Sequence, residues 1–263
     1  INFHIENGTN GLVPAGTTGE SPTLSHNEHE KVIEICIKES AGKVPVIAGT
    51  GSNSTEEAVS LTKHAEKAGA NGVLVVTPYY NKPTQEGLYQ HYKKINDSVG
   101  IPIIIYNIPS RSVIDMSVDT MAKLYELKNI KGVKDATGDL NRVDQQLKAM
   151  GKEFIQLTGN DDNALEFNKR GGVGAIGVTA NIAAKMSSDF QKACEEKNGM
   201  AETLDKLLQP LHSALFIESN PSPVKYAASL LGMCNPSVRL PLVEIREETK
   251  KKVSEALKVA KLL

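Results

Sequence analysis

Short, continuously apolar, β-branched runs alternate along the chain with amphipathic stretches. The runs cover residues 11–16, 44–49, 72–77, 101–108, 130–134, 154–158 and 174–179. Apolar residues on consecutive positions, rather than on every second one, indicate strands covered on both faces, as in a parallel sheet. The stretches between them carry helix signals. Ser25 with Glu28 and Ser54 with Glu57 have the spacing of capping boxes, and Ala41-Gly42, Ala68-Gly69, Gly151 and Gly171-Gly172 stand where helices should stop.

Repeated βα units leave two architectures, an open doubly wound sheet or a (β/α)8 barrel. No Gly-x-Gly-x-x-Gly follows the first run, which weighs against a dinucleotide fold. Polar or reactive residues instead follow nearly every run: Thr17-Thr18, Thr50, Tyr79-Tyr80, Tyr106-Asn107, Lys134, Asn160-Asp161 and Asn181. Functional groups contributed by many strand ends are characteristic of the barrel. The count is one short, seven runs for eight strands, and residues 1–6 read as the tail of a helix ended by Gly8. An α/β TIM barrel is therefore expected, with its first strand missing from this chain, either because the chain is part of a longer protein or because the barrel is open there. Helix-like segments at 201–218, 223–231 and 247–263 add a C-terminal helical extension, dividing the chain into a barrel over 1–200 and an extension over 201–263.

Composition narrows the partners. The 263 residues carry 30 Lys+Arg against 31 Asp+Glu, a formal net charge of -1, which offers no electrostatic footprint for nucleic acid or an anionic membrane. The one basic run, Lys250-Lys251-Lys252, follows Glu247 and Glu248 and reads as a solvated helix face. No apolar run approaches the length of a membrane span, and no basic start followed by an apolar block marks a signal peptide. Three scattered cysteines (Cys36, Cys194, Cys234) without metal spacing suit packing roles in a reducing, cytoplasmic setting.

Lys134 is the sharpest chemical feature. It ends an apolar strand among small residues, where desolvation disfavours the ammonium and frees the amine as a nucleophile toward a 2-oxo acid; from position alone a strand-end lysine reaching to solvent is the commoner outcome. Tyr106, closing 101–106, offers a phenol for proton transfer, or else a core aromatic with a hydrogen-bonded hydroxyl. Gly16-Thr17-Thr18-Gly19 sets two hydroxyls in a glycine-flanked turn suited to an anion, and Arg111 brings a guanidinium suited to a carboxylate. His26 and His29 lie three apart at a helix start with no third ligand nearby, so no metal site is expected and a helix-surface role is the default.

Together these residues resemble the dihydrodipicolinate synthase (4-hydroxy-tetrahydrodipicolinate synthase) family, class I aldolase-type enzymes of the N-acetylneuraminate lyase superfamily. The resemblance runs through Gly16-Thr-Thr-Gly-Glu-Ser21, Val76-Thr-Pro-Tyr-Tyr-Asn81, Tyr106-Asn-Ile-Pro-Ser-Arg111 and Gly132-Val-Lys-Asp-Ala-Thr-Gly138, and it covers essentially the whole chain. It implies a Schiff base between Lys134 and pyruvate, attack of the enamine on L-aspartate 4-semialdehyde, and cyclisation that frees the lysine. Tyr106 is then the acid/base, in a hydroxyl relay with Thr17 and with Tyr80 from a neighbouring subunit. Thr18 holds the pyruvate carboxylate and Arg111 that of the semialdehyde, while Gly159 and Ile176 line the pyruvate pocket through main-chain groups. The protonated imine is itself the electron sink, so no metal or cofactor is required. The donated tyrosine implies a homo-oligomer, a dimer of dimers by analogy with relatives.

The resemblance also implies feedback inhibition by L-lysine at an interface site matching Ser21, Pro22, His26, His29, Asn53, Glu57 and Tyr79, with proline at 22 where some members have alanine. Members of the family have further chain, including the first barrel strand, before the position matching Ile1. The alternatives are a related Schiff-base aldolase (N-acetylneuraminate lyase, 2-keto-3-deoxygluconate or 4-hydroxy-2-oxoglutarate aldolase) and a non-catalytic metabolite-binding paralogue. Arg111 and Thr17-Thr18 argue against an N-acetylneuraminate lyase, Tyr79-Tyr80 against a 2-keto-3-deoxygluconate aldolase, and retention of Lys134, Tyr106, Thr17, Thr18, Tyr80 and Arg111 against the paralogue.

Overall fold

The computed structural model describes residues 1–263. Helix α1 (Asn2–Glu6) precedes α2 (His26–Ser40), after which strands and helices alternate: β1 (Ile47–Gly49), α3 (Thr55–Ala68), β2 (Gly72–Val76), α4 (Gln85–Asn96) and β3 (Ile103–Asn107). Two helices, α5 (Pro109–Ser112) and α6 (Val118–Tyr125), separate β3 from β4 (Ile130–Asp135); α7 (Asn141–Met150), β5 (Ile155–Thr158), α8 (Ala164–Lys169) and α9 (Ala184–Glu195) follow. The chain ends in α10 (Met200–Ala214), α11 (Ser222–Leu230) and α12 (Glu247–Val259). No helix is long and apolar enough to cross a membrane.

The strands pair in parallel in the order β1-β2-β3-β4-β5. Residues 11–16 and 174–179 join this wall by a single bridge each, Leu12 to Val46 and Ala175 to Thr158. These are the two expected strands that do not form ladders. Ala15 adopts φ 55 and Gly174 φ 150, outside the extended range, so successive pairing is interrupted. Of the remaining strands, β4 runs one residue past its apolar run and the others are shorter than theirs; β1 and β3 start beyond Pro45 and Pro102, which have no N–H to donate to a ladder. The two edge segments curve back toward each other. Ser188 of α9 donates to the Gly8 carbonyl at 2.7 Å, and one cavity is lined by Thr9 and Gly11 from one edge and by Ala175 and Gly177 from the other. The result is a (β/α)8-type barrel wall.

Alternation along each strand sorts residues between two layers. Val73, Val75, Ile103, Ile105 and Val133 face outward and pack with Ile33, Ala65, Leu88, Tyr92, Met121 and Leu124 of the surrounding helices, forming the main core. Leu74, Ile104, Tyr106 and Lys134 therefore lie on the inner face. A second core unites Ala164, Val178, Ile182 and Phe190 with Leu208, Leu211, Val224, Val253 and Leu257 from the last three helices. The C-terminal helices are thus packed into the barrel wall.

Helix starts follow the expected capping chemistry with one exception. At α2 both halves of the box form: the Glu28 N–H donates to Ser25 Oγ at 3.3 Å, and the Ser25 N–H to Glu28 Oε2 at 2.8 Å. At α3 only Ser54 caps, accepting from the Glu57 N–H. The Glu57 carboxylate turns away to His26 and Ser52, a tertiary attraction that outweighs the local box.

Candidate active site

The parallel register builds the site. Tyr106 pairs with Val76 on one side and Lys134 on the other, and Lys134 pairs in turn with Leu157. In-register pairing at the C-terminal ends of β3 and β4 sets both side chains on the same inner face, and Lys134 Nζ sits 4.1 Å from the centroid of the Tyr106 ring. The ring face and the Asp161 charge favour the ammonium. Burial outweighs them: it lowers the Lys134 pKa from 10.5 to about 8, with the Arg111 charge acting in the same direction. Burial likewise raises the Tyr106 phenol above its ordinary value, opposed by the Arg111 charge and a hydrogen bond with Thr17.

Behind Lys134, Gly159 makes the site sterically feasible. A Cβ there would lie 2.7 Å from Ala136 Cβ and 3.0 Å from Lys134 Cε. The Gly159 N–H donates to the Asp135 carbonyl at 2.7 Å and the Ile176 N–H to that of Thr158 at 3.0 Å, so both amides are engaged and their carbonyls are the free main-chain groups. Thr17 and Thr18 occupy a tight turn in which the Gly19 N–H donates to the Gly16 carbonyl and the Glu20 N–H to that of Thr17, both at 3.0 Å. Arg111 lies in α5, exposed at the mouth, with Nη2 3.4 Å from the Asn220 carbonyl. Tyr80 is 88% exposed with φ 72 and points away from its own chain.

The residues matched to a lysine site also gather in one place. His26 Nε2 lies 2.7 Å from Glu57 Oε1, the Asn53 amide donates to the Tyr79 carbonyl at 3.2 Å, and Ser21 and Pro22 form the turn just before α2. Hydrogen bonds from Ser52 and His26 hold the Glu57 carboxyl below its ordinary pKa. His29 corrects the expectation of a surface residue. It is 5% exposed and burial lowers its pKa, because α2 turns this position into the protein. Cys234 is likewise exposed rather than packed.

Two nearby residues escape the sequence reading, Ser52 on Glu57 and Asn220 touching both Thr18 and Arg111, while Asp161, singled out there only as a polar strand-end residue, acts on Lys134. Asp161 Oδ2 accepts from the Val178 and Thr179 N–H groups at 2.7 and 3.0 Å. Asn220 precedes a proline, and Asn-Pro by itself signals only a turn.

A desolvated lysine against a tyrosine, at the open end of an α/β barrel, defines a lyase of the class I aldolase type. The model of the dihydrodipicolinate synthetase family matches residues 1–260. The chain belongs to this family. The 4-hydroxy-tetrahydrodipicolinate synthase of Pelagibacter ubique (strain HTCC1062) is 73% identical over 267 residues, covering 100% of this chain and 91% of that protein. The chloride-inhibited dihydrodipicolinate synthase of Acinetobacter baumannii, solved in complex with pyruvate, superposes with a TM-score of 0.97 at 46% identity, covering 100% of this chain and 90% of that one. The lysine-bound enzyme of Cyanidioschyzon merolae superposes with a TM-score of 0.95 at 36% identity, over 99% of this chain and 89% of that one.

Proposed function

We propose that the chain is a 4-hydroxy-tetrahydrodipicolinate synthase that joins pyruvate to L-aspartate 4-semialdehyde in lysine and diaminopimelate biosynthesis, in the cytoplasm. The observation that carries this reading is the desolvated Lys134 amine beside Tyr106, with Thr18 and Arg111 at the same barrel mouth. The neutral amine attacks C2 of pyruvate, and the carbinolamine loses water to give a protonated imine. Loss of a proton from C3 gives the enamine, whose carbon attacks the aldehyde. The amine of the second substrate then adds to the imine carbon, closing the ring and expelling the Lys134 amine. Tyr106 relays the protons with Thr17 and with Tyr80 of a neighbouring copy. Thr18 and Arg111 hold one carboxylate each, which makes carbon–carbon bond formation an oriented step. The pyruvate complex of the Acinetobacter baumannii relative supports the first substrate. The outward Tyr80 supports a homo-oligomer, a dimer of dimers.

Incubation with pyruvate followed by borohydride should leave a pyruvyl adduct on Lys134, located by peptide mass spectrometry. A folded protein that forms no adduct, or forms it on another lysine, contradicts the reading. The cluster of Ser21, Pro22, His26, His29, Asn53, Glu57 and Tyr79 is proposed to bind L-lysine as an inhibitor. The ionised Glu57 suits an ammonium, and the lysine-bound relative supports the ligand. Saturating L-lysine should lower the initial rate of the parent and have little effect on a Glu57→Ala variant; an unchanged parental rate would sink this part alone.

A further inference from the structure

Asn220 reaches the proposed substrate residues from the loop between α10 and α11, far away in sequence. It is 5% exposed. Its Nδ2 donates to Thr18 Oγ1 at 3.0 Å, and its main-chain carbonyl accepts from Arg111 Nη2 at 3.4 Å. Its Oδ1 is buried with no partner. A buried acceptor left unpaired disfavours the fold, so Asn220 is a poor choice for stability. Such a residue makes physical sense where function requires it.

The chemistry of that requirement can be read from the donor count. A threonine hydroxyl carries one proton. When Oγ1 accepts from the Asn220 amide, that proton is directed elsewhere, and a carboxylate can only accept. Asn220 therefore presets the Thr18 hydroxyl as a donor. The Arg111 guanidinium has five N–H groups; giving one to the Asn220 carbonyl limits its swing and leaves a fork for a second carboxylate. The same C-terminal segment also holds the turn through the Glu20 carboxylate. Lys225 Nζ lies 2.6 Å from Glu20 Oε2, and the Arg239 N–H donates to Glu20 Oε1 at 2.8 Å. Of the hydrogen bonds made by this segment, those of Asn220 reach the proposed substrate-binding side chains Thr18 and Arg111.

We propose that Asn220 is a positioning residue shared by the two substrates, orienting Thr18 toward the carboxylate of the 2-oxo acid and Arg111 toward that of the amino aldehyde. This rests on the roles given to Thr18 and Arg111 above. The test compares Asn220→Ala and Asn220→Asp in the full chain, varying each substrate in turn and recording thermal unfolding alongside. Asn220→Ala should raise KM for pyruvate about tenfold, the scale of the one oriented hydrogen bond lost from Thr18, with a smaller change in kcat. It should change KM for the amino aldehyde much less, because the carbonyl that holds Arg111 belongs to the main chain and survives the substitution. Asn220→Asp keeps the shape but accepts the Thr18 proton and adds a negative charge, so its KM for pyruvate should rise by about a hundredfold or more. Unfolding temperatures near the parent's are expected for both; if the alanine variant unfolds, the isosteric aspartate variant decides. A KM for pyruvate within twofold of the parent, a rise no larger for pyruvate than for the amino aldehyde, a loss confined to kcat, or failure of both variants to fold would each overturn the proposal. Borohydride trapping at saturating pyruvate separates the two levels: an unlabelled parent indicts the reading of the site, whereas a labelled parent with unshifted KM in the variants indicts the role of Asn220 alone.

Discussion

Replacing Lys134 by methionine is expected to lower kcat/KM at least about a thousandfold and, at pH 7, to raise the unfolding temperature. The first effect follows from removal of the nucleophile, without which no imine and no enamine form. The second follows from the desolvation that makes the amine reactive. With a pKa of about 8 in the fold against an ordinary value of 10.5, about a tenth of the side chain is neutral at pH 7, a few hundredfold more than for a solvated lysine. The sign of the linkage is opposite to that of a lysine gaining an ion pair. Below pH 8 both folded and unfolded chains hold the proton, and the fold carries the full cost of a desolvated ammonium. Between 8 and 10.5 only the unfolded chain keeps it, so the cost fades, and above 10.5 it is gone. The methionine variant should therefore unfold at a higher temperature than the parent at pH 7, by a margin that closes as the pH approaches 10.5. The rate of borohydride-trapped adduct formation in the parent should rise with pH through 8 and then level. A variant less stable than the parent at pH 7, or an adduct rate flat from pH 6 to 9, contradicts this account.

The largest stability effect is expected at Arg142, which lies behind the site. Its Nε is 2.9 Å from Asp135 Oδ2, its Nη2 donates to the Met116 carbonyl at 2.8 Å, and its Nη1 lies 3.4 Å from Asp115 Oδ2. Asp135 follows Lys134 directly, is 5% exposed, and also accepts from Gln146 Nε2 at 2.9 Å and Thr137 Oγ1 at 2.6 Å. Arg142→Met strands this buried carboxylate without its cation and should lower stability by about 3–5 kcal/mol, or ~10 °C in a chain of this size. Lysine should not rescue it, because an ammonium on a flexible stem cannot donate along three fixed directions at once. The double variant Arg142→Met with Asp135→Asn should lose less than the sum of the single changes, since the stranded charge is gone. Urea unfolding of the four proteins measures this; a single-variant loss under about 1 kcal/mol would show that Thr137 and Gln146 suffice for Asp135.

How much of this was legible beforehand depends on the range of the interaction. The run Ile103-Ile104-Ile105 becomes a central strand because its composition suits burial on both faces wherever it is placed. Ser25 and Glu28 form their box because both partners lie within one helical turn. Glu57 does not, although its spacing is identical, because α2 delivers His26 and the preceding loop delivers Ser52 to its carboxylate. His29 looks like a surface residue until the packing of α2 buries it. The runs at 11–16 and 174–179 are apolar enough for strands, yet each makes a single bridge, because Ala15 and Gly174 take positive φ where a ladder needs extended backbone.

The site divides in the same way. Lys134, Tyr106, Thr17, Thr18 and Arg111 stand out along the chain because their residue types carry chemistry and follow apolar strands, which is local information. Whether Lys134 is a reactive amine or a solvated one is not local. It depends on the parallel register that sets Tyr106 across from it, on the absence of a Cβ at Gly159, and on the depth at which these enclose the amine. Asn220 is the extreme case: an ordinary turn asparagine in sequence, it meets Thr18 and Arg111 only because the C-terminal helices share a core with the barrel wall. Element type and candidate chemistry follow from short-range patterning, to which each residue contributes through its own burial and backbone preferences. Protonation, orientation and partnership are set by distances between segments remote in sequence, and folding alone fixes those distances.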